Sequence, residues 1–448
     1  MKKVVMIIIS LFIAITYNLN VYAKDTFYSL NKYKEEKLNF ILEGYNDKQS
    51  SNGKVVAGTY LKDTLEIDDR EYNDIQVLLM KYNNDGKIVW SYDYGKDVED
   101  SLYYLSYSYG DDNNIDGYIL AVKETSEIIE NKGTNPIFIK LDLKGKEVYQ
   151  KNTNLSLNSD IKKIIPTYDS NNNVDGYIVV GSNDNKGFIA KYNKELDQVW
   201  IKDNNESTSI EDAVVLRNEN VISSYVLISC YDNGQDKSYK LYKYDLNGNV
   251  VEVIKDDFEN KDNPKLLESN NSFLVYGFTH EVKFKSDKST AYYIIKFNSN
   301  SNEEEWETVG NTPTNDNKTL EIRPVIKQDK IVEYLIMASN DNDSSIEITR
   351  LNLDGVLENK IKKINNEYYD VESFYFSKNI IYFIGQISCP EDDNCDYNMK
   401  SLYLISTEDK VIEVKEDDNN MILIVSGIIF GFLVTLYIIK KYVSNKQK

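Results

Sequence analysis

A short pattern returns at a nearly constant interval through most of this chain: a basic residue, an apolar or aromatic one, then Asn or Asp. Such self-similarity constrains the fold more than any local feature does. It reads Lys81-Tyr82-Asn83, Lys140-Leu141-Asp142, Lys191-Tyr192-Asn193, Lys243-Tyr244-Asp245, Lys296-Phe297-Asn298 and Arg350-Leu351-Asn352. The basic residues stand 59, 51, 52, 53 and 54 positions apart. Another 54 positions reach Leu404 in SLYLIST, where the basic residue is gone and the apolar pattern persists. Seven units of about fifty residues follow from this spacing.

Each unit holds four runs of β-branched and aromatic residues bounded by Asn, Asp or Gly, the signature of strands. In the second unit they are SLYYLSYSY (101–109), GYILAVKET (117–125), PIFIKLD (136–142) and KEVYQKN (146–152). After the third run comes a turn such as Asn83-Asn84-Asp85-Gly86 or Asp142-Leu143-Lys144-Gly145. Gly in last place takes a positive φ and Asn or Asp in first place bonds the turn backbone, so strands three and four form a hairpin. Second runs such as GYIVVGS (176–182) and SFLVYGF (272–278) are apolar on both faces, as for strands sandwiched between neighbouring sheets. The fold class predicted is all-β, a seven-bladed β-propeller over 38–414. An open stack or two β-sandwich domains are the alternatives, and closure is favoured because a ring hides its terminal edges. The repeated basic residue is expected to lay its stem along a sheet with its charge at the rim. Trp90, Trp200 and Trp306, at corresponding places in fourth strands, are expected to fill the spaces between blades.

The segments LLMKYNNDGKIVW (78–90) and GFIAKYNKELDQVW (187–200) resemble the "KYDxxGxxxW" hairpin of bacterial extracytoplasmic β-propeller repeats, and DGKIVW is similar to the end of a quinoprotein-type repeat. The resemblance spans about residues 38–414. It implies a propeller outside the cytoplasm and no particular activity.

The two ends imply a membrane topology. Met1-Lys2-Lys3, an apolar stretch from Val4 to Ile15 and the ending Val21-Tyr22-Ala23 have the order of a secretory signal peptide, 1–23. An N-terminal extension, 24–37, follows. Met421 to Ile439 carries no charge over 19 residues, enough for a transmembrane helix. The acidic linker 415–420 precedes it and Lys440, Lys441, Lys446 and Lys448 follow it. By the positive-inside bias the tail, 440–448, is cytoplasmic and the body lies outside. The formal charge is −20, and without Lys2, Lys3 and the four tail lysines it is −26. A body so acidic repels phosphate backbones, which excludes nucleic acid as a partner.

Chemistry-bearing residues are sparse. Cys389 and Cys395 bracket the polar loop CPEDDNC and are expected to form a disulfide outside the cytoplasm, while Cys230 reads as a buried hydrophobe. In GDDNNIDG (110–117) and YDSNNNVDG (168–176), the residues Asp111, Asn113, Asp116, Asp169, Asn171 and Asp175 are oxygen-rich enough to be candidate calcium ligands. Ordinary hairpin turns are the simpler reading, because the bidentate Glu of a helix-loop-helix calcium site is absent. No other cofactor is indicated. A single histidine, His280, disfavours Ser-His-Asp chemistry and multi-histidine metal sites. The longest loops, 61–74, 125–135, 280–290 and 388–399, offer Asp68, Asp69, Lys283, Lys285 and Lys288 as candidate ligand-binding residues.

The functional expectation is a membrane-anchored extracellular binding or scaffold module for a protein, peptide or glycan at the bacterial surface. The alternatives are a carboxylate-dependent hydrolase or lyase acting on glycans, and a purely structural spacer.

Overall fold

The computed structural model describes residues 26–28, 34–67, 70–95, 99–125, 135–218, 221–234, 236–258, 260–279, 291–310, 319–328, 330–340, 345–365, 369–377, 380–387 and 400–407. Unit 1 consists of Lys34–Tyr45, Ser51–Ile67, Arg70–Tyr82 and Ile88–Tyr94, and unit 2 of Glu99–Tyr109, Ile115–Thr125, Ile137–Asp142 and Glu147–Asn152. Unit 3 is Asp160–Tyr168, Val174–Asn183, Lys186–Asn193 and Gln198–Asn204, and unit 4 is Ser209–Asn218, Val221–Asp232, Lys237–Tyr244 and Val250–Lys255. Units 5 and 6 are Lys261–Ser269, Ser272–Thr279, Ala291–Asn298, Glu304–Val309 and Leu320–Lys327, Lys330–Asn340, Ser345–Asn352, Leu357–Asn365. The last unit is Tyr369–Ser377, Ile380–Ile387 and Lys400–Thr407.

The expectation of seven separate blades is corrected. Hydrogen bonding gathers the described strands into six sheets, five of four strands and one of eight, so the propeller counted by its sheets is six-bladed. A parallel bridge, Ile75 to Glu99, joins the third strand of unit 1 to the first of unit 2 and merges both units into the eight-stranded sheet. Periodicity in sequence counts units; it is blind to a bridge between two of them. The C-terminal helix expected over 421–439 lies outside the described residues, among which no helix is long and apolar enough to cross a membrane.

The last sheet borrows its outer strand from the start of the chain, since Thr26–Tyr28 pairs antiparallel with 403–405. Glycine alignment also moves one anchor. Gly58, Gly181 and Gly277 each stand opposite the residue three before the basic one, and Gly385 stands opposite Leu402. Ile405, rather than Leu404, therefore holds the equivalent place, a one-residue slip that in a strand exchanges the two faces.

Second strands are buried on both faces, as in Tyr177–Val180 and Phe273–Val275. Seven clusters of buried apolar side chains among the described residues fill the spaces between successive units. The ring closes where Leu38, Ile41, Val56 and Met80 of unit 1 meet Tyr382 and Ile384 of the last unit. A charge sits in that seam: Lys54, 2 % exposed, is 3.0 Å from Glu43 Oε1 and lies 4.1 Å and 5.1 Å from the ring centres of Tyr382 and Tyr375.

The repeated basic residues occupy one register position, opposite Val55, Ile119, Ile178, Val226, Leu274 and Leu335 of their second strands. Each charge is held inside its fold neighbourhood. Lys140 meets Asp116 at 2.8 Å, Lys191 Asp175 at 2.6 Å, Lys296 Glu305 at 3.0 Å and Arg350 Glu333 at 2.7 Å. Lys243 donates to Asn302 Oδ1 at 3.2 Å, and Lys81 donates to the Tyr45 carbonyl.

Tryptophans alternate with glycines around the ring. A Cβ on Gly145 would lie 2.5 Å from Trp90, one on Gly248 2.5 Å from Trp200 and one on Gly355 2.6 Å from Trp306. Units 1, 3 and 5 thus rest an indole on the hairpin turn of units 2, 4 and 6, and Trp90 and Trp306 also donate to the Leu143 and Leu353 carbonyls at 3.2 Å and 3.1 Å. Those glycines have φ of +76°, +76° and +82°, a region that costs other residues strain. In the same turns the first residue caps the backbone, as when Asp245 Oδ1 accepts from the N–H groups of Asn247 and Asn249 at 2.9 Å and 2.8 Å.

Replacing Lys54 with Ala leaves Glu43 buried without its cation, and is expected to cost about 3–5 kcal/mol in urea denaturation. Gly145→Asn accepts the positive φ but meets the indole. Its destabilisation is expected to shrink in a Trp90→Ala background, giving a coupling of about 0.5–3 kcal/mol in a double-mutant cycle, whereas simple additivity would remove the contact from the account. Hydrogen bonds from Asn249 hold the Asp245 carboxyl below its ordinary range. A folded pKa below the unfolded one contributes stability above the usual carboxylate range that is lost as pH falls through the folded value. Asp245→Asn keeps the turn, as Asn83 and Asn352 show in units 1 and 6, and is expected to lose less stability than wild type between pH 5 and pH 2, by a small solvent-screened margin.

Candidate functional site

The first strands of units 2, 3, 4 and 5 lie side by side in turn, as do those of unit 6, the last unit and unit 1, the placement of strands that border the central channel of a propeller. Six of them carry a β-bulge at one level, after Leu38, Leu102, Ile161, Ile210, Asp262 and Val371. Bulges turn side chains out of the ladder and free an N–H group. The residues that resume the ladder are Phe40, Tyr104, Lys163, Asp212, Lys265 and Ser373, which places a mixed ring of side chains at one height.

Ion pairs knit this ring together. Lys163 meets Asp212 Oδ1 at 2.7 Å, and Asp212 Oδ2 accepts from the Leu266 N–H at 2.8 Å, crossing from unit 3 to 4 to 5. Arg323 pairs with Glu321, whose Oε2 accepts from Ser373 Oγ at 2.6 Å and from the Phe374 N–H at 3.0 Å, crossing to the last unit. Burial opposes the charge of Lys163, yet the Asp212 carboxylate holds its pKa above the ordinary lysine value, and Glu321 does the same for Arg323. The phenols of Tyr104 and Tyr276 are pushed up by burial.

At the end where first strands turn into second strands lies a cleft of about 720 Å³ between units 4, 5 and 6. Its polar wall holds Arg217, Glu268, Asn270 and Lys330, and its apolar wall Val215, Leu267, Pro324, Ile326 and Ile331. The Arg217 guanidinium lies 4.6 Å from the centre of the Tyr168 ring and 2.8 Å from Glu268 Oε1. Even so, burial outweighs Arg217 and raises the Glu268 pKa. Asn270 pins Ile331 through both backbone groups, 2.7 Å to its carbonyl and 3.3 Å from its N–H.

That amide staple recurs and accounts for the oxygen-rich turns. Gln49 holds Ile115 by the same two bonds, 2.8 Å and 3.1 Å, and Asn113 holds the Asn172 carbonyl at 3.4 Å and the Val174 N–H at 2.5 Å. Gln49 and Asn113 have φ of +58° and +66°, a conformation to which Asn is better suited than most residues. Three of the candidate calcium ligands, Asp116, Asp169 and Asp175, accept hydrogen bonds from their own units. Asp116 accepts from Ser108 at 2.5 Å and Lys140, Asp175 from Thr167 at 2.5 Å and Lys191, and Asp169 Oδ1 from the N–H groups of Asn171 and Asn173. Asp111 lies 3.9 Å from Lys194, exposed at the turn. Among the described residues no group of three or more His, Cys, Asp or Glu side chains is placed to hold a metal ion.

Asp68, Asp69, Lys283, Lys285, Lys288, Cys389, Cys395 and His280 lie outside the described residues. The expected loop 61–74 is instead a long ladder, with Leu61 opposite Ile75 and Ile67 opposite Arg70. Cys230 is buried. Missed at the sequence level were Tyr104, Lys163, Asp212, Arg217, Glu268 and Arg323; the one signal was charge within strands that border apolar runs, as in EDAVVLRN (211–218).

No family model and no curated protein matches the sequence. Among solved structures, the chain is similar to the β-propeller domain of the Trilobed protease from Pyrococcus furiosus, with 11 % identity over 86 % of this chain and 100 % of that one at a TM-score of 0.43. It is similar also to the Vanderwaltozyma polyspora Nup133 β-propeller domain, 10 % identical over 81 % and 99 % with a TM-score of 0.40. A Synechocystis apocarotenoid oxygenase mutant is 9 % identical over 85 % and 93 % with a TM-score of 0.45. At such scores the fold rests on the strand pairing of this chain itself.

Proposed function

We propose that this chain is a membrane-anchored extracellular β-propeller that binds a protein, peptide or glycan at the bacterial cell surface, and that the partner seats in the cleft at the end of the channel. The cleft carries the reading: about 720 Å³, concave, with a few polar groups set against an apolar wall. Ile326, 62 % exposed, lies on its apolar wall and offers a partner an apolar contact. Anchoring rests on the uncharged run 421–439 between an acidic linker and a lysine-bearing tail, and export on the leader 1–23. A net charge of −26 on the exported part turns away nucleic acid.

The alternative, glycan hydrolysis, needs two carboxyl groups flanking one bond. Among the described residues lining the cleft Glu268 is the sole carboxylate, and Arg217 holds it. That favours binding over turnover.

The full chain, purified in detergent, is offered to envelope extracts and to a set of glycans and peptides. Retention of a partner is expected, weakened about tenfold, or ~1.4 kcal/mol, by Ile326→Asp and by Lys330→Glu, two exposed positions whose substitution spares the core. Hydrolysis of a glycan with no partner retained would establish the alternative, and full retention by both variants would move the partner away from this cleft.

A further inference from the structure

The polar ring inside the channel holds more hydrogen-bond donors than the protein uses. Both oxygens of Asp212 already accept, from Lys163, the Ala213 N–H at 2.7 Å and the Leu266 N–H at 2.8 Å. Both oxygens of Glu321 accept too, from Arg323, Ser373 and the Phe374 N–H. The Arg323 Nε–H, in contrast, is buried with no partner. Neither the Tyr104 nor the Tyr276 hydroxyl has a hydrogen-bond partner among the described residues.

These unspent donors share one neighbourhood. Tyr104 takes the same bulge position in unit 2 that Lys163 and Asp212 take in units 3 and 4, and Tyr276 stands opposite Lys265, which takes it in unit 5. Lys265 in turn reaches the Leu320 carbonyl of unit 6 at 3.5 Å, beside Glu321. Both phenols feel the charges of Lys163, Asp212, Arg323 and Glu321. The Arg323 Nε–H is a buried donor on a charged group, and leaving it unpaired costs free energy. With the carboxylates saturated, what the ring lacks is an acceptor, and an acceptor that also complements a guanidinium is an anion with paired oxygens.

We propose that the middle of the channel is a carboxylate-binding site, in which the Tyr104 and Tyr276 hydroxyls and the Arg323 Nε–H donate to a ligand carboxylate. The two ion pairs are its frame: each is neutral within itself, and together they fix the donors in place. The site goes beyond the cleft at the channel end and stands whether or not that cleft seats a partner.

Calorimetric titration of the full chain tests it with three probes: sodium acetate, a short peptide with a free C-terminal carboxylate, and the same peptide amidated. Saturable binding of acetate identifies a small carboxylic acid as a sufficient ligand; binding of the peptide acid alone identifies a peptide terminus; both support the site. The Tyr104→Phe/Tyr276→Phe double variant removes two hydroxyls and leaves both ion pairs, so binding is expected to weaken at least about tenfold with an unchanged near-ultraviolet dichroism spectrum away from the tyrosine contribution. Arg323→Lys retains a cation for Glu321 and removes the Nε–H, with the same expected loss. Absence of saturation by acetate and peptide acid, equal binding of the amide, or wild-type affinity in the double Phe variant would each overturn the proposal.

Discussion

Every other feature depends on second strands that are apolar on both faces. Such a strand cannot stand at a surface, so each unit must be covered by a neighbour on either side. A linear row satisfies that demand everywhere except at its two ends. The chain removes the ends by folding the row into a ring, in which Leu38, Ile41 and Val56 bury against Tyr382 and Ile384. Borrowing Thr26–Tyr28 as the outer strand of the last sheet ties the start of the chain to its far end. The buried Lys54 and Glu43 then place a charge pair where apolar packing alone gives no register, and two tyrosine rings shield it.

Repetition serves register as much as stability. In the first six units one basic residue stands at the same ladder position, but its acceptor differs from unit to unit: an aspartate on the second strand in units 2 and 3, a glutamate on the fourth in unit 5 and on the second in unit 6, a neighbouring amide in unit 4. An indole rests on a turn glycine at the 1–2, 3–4 and 5–6 interfaces. The same amide staple between adjacent hairpins, at Gln49, Asn113 and Asn270, cross-links units 1–2, 2–3 and 5–6 on one face of the ring.

Bulges convert this regular body into a site. A strand without them would bury alternate residues against its neighbours and leave little for the channel. With a bulge at one level in six first strands, side chains as different as Phe40, Tyr104, Lys163, Asp212 and Ser373 share a height around the axis. Their diversity is the opposite of the repeat's uniformity, and recognition needs such asymmetry: identical units make a frame, and unlike residues at equivalent places make a surface with a preferred ligand.

The periodic anchors, the turn glycines and the two-faced apolar runs were legible without coordinates because each is local, set by the φ a glycine permits or by which side chains leave water. From them the sequence alone determined an all-β repeat of four-stranded units and the alternation of its tryptophans. Only the tertiary structure decided that two units share a sheet, that the outermost strand of the last sheet comes from residues 26–28, and that Leu404 yields its place to Ile405. It alone joined Tyr104, Lys163, Asp212, Arg323 and Glu321, which stand as much as 219 positions apart (Tyr104 to Arg323). The physical reason is that a hydrogen bond or ion pair between units depends on where a ring closes and how its strands bulge, and neither quantity is written in any fifty-residue window.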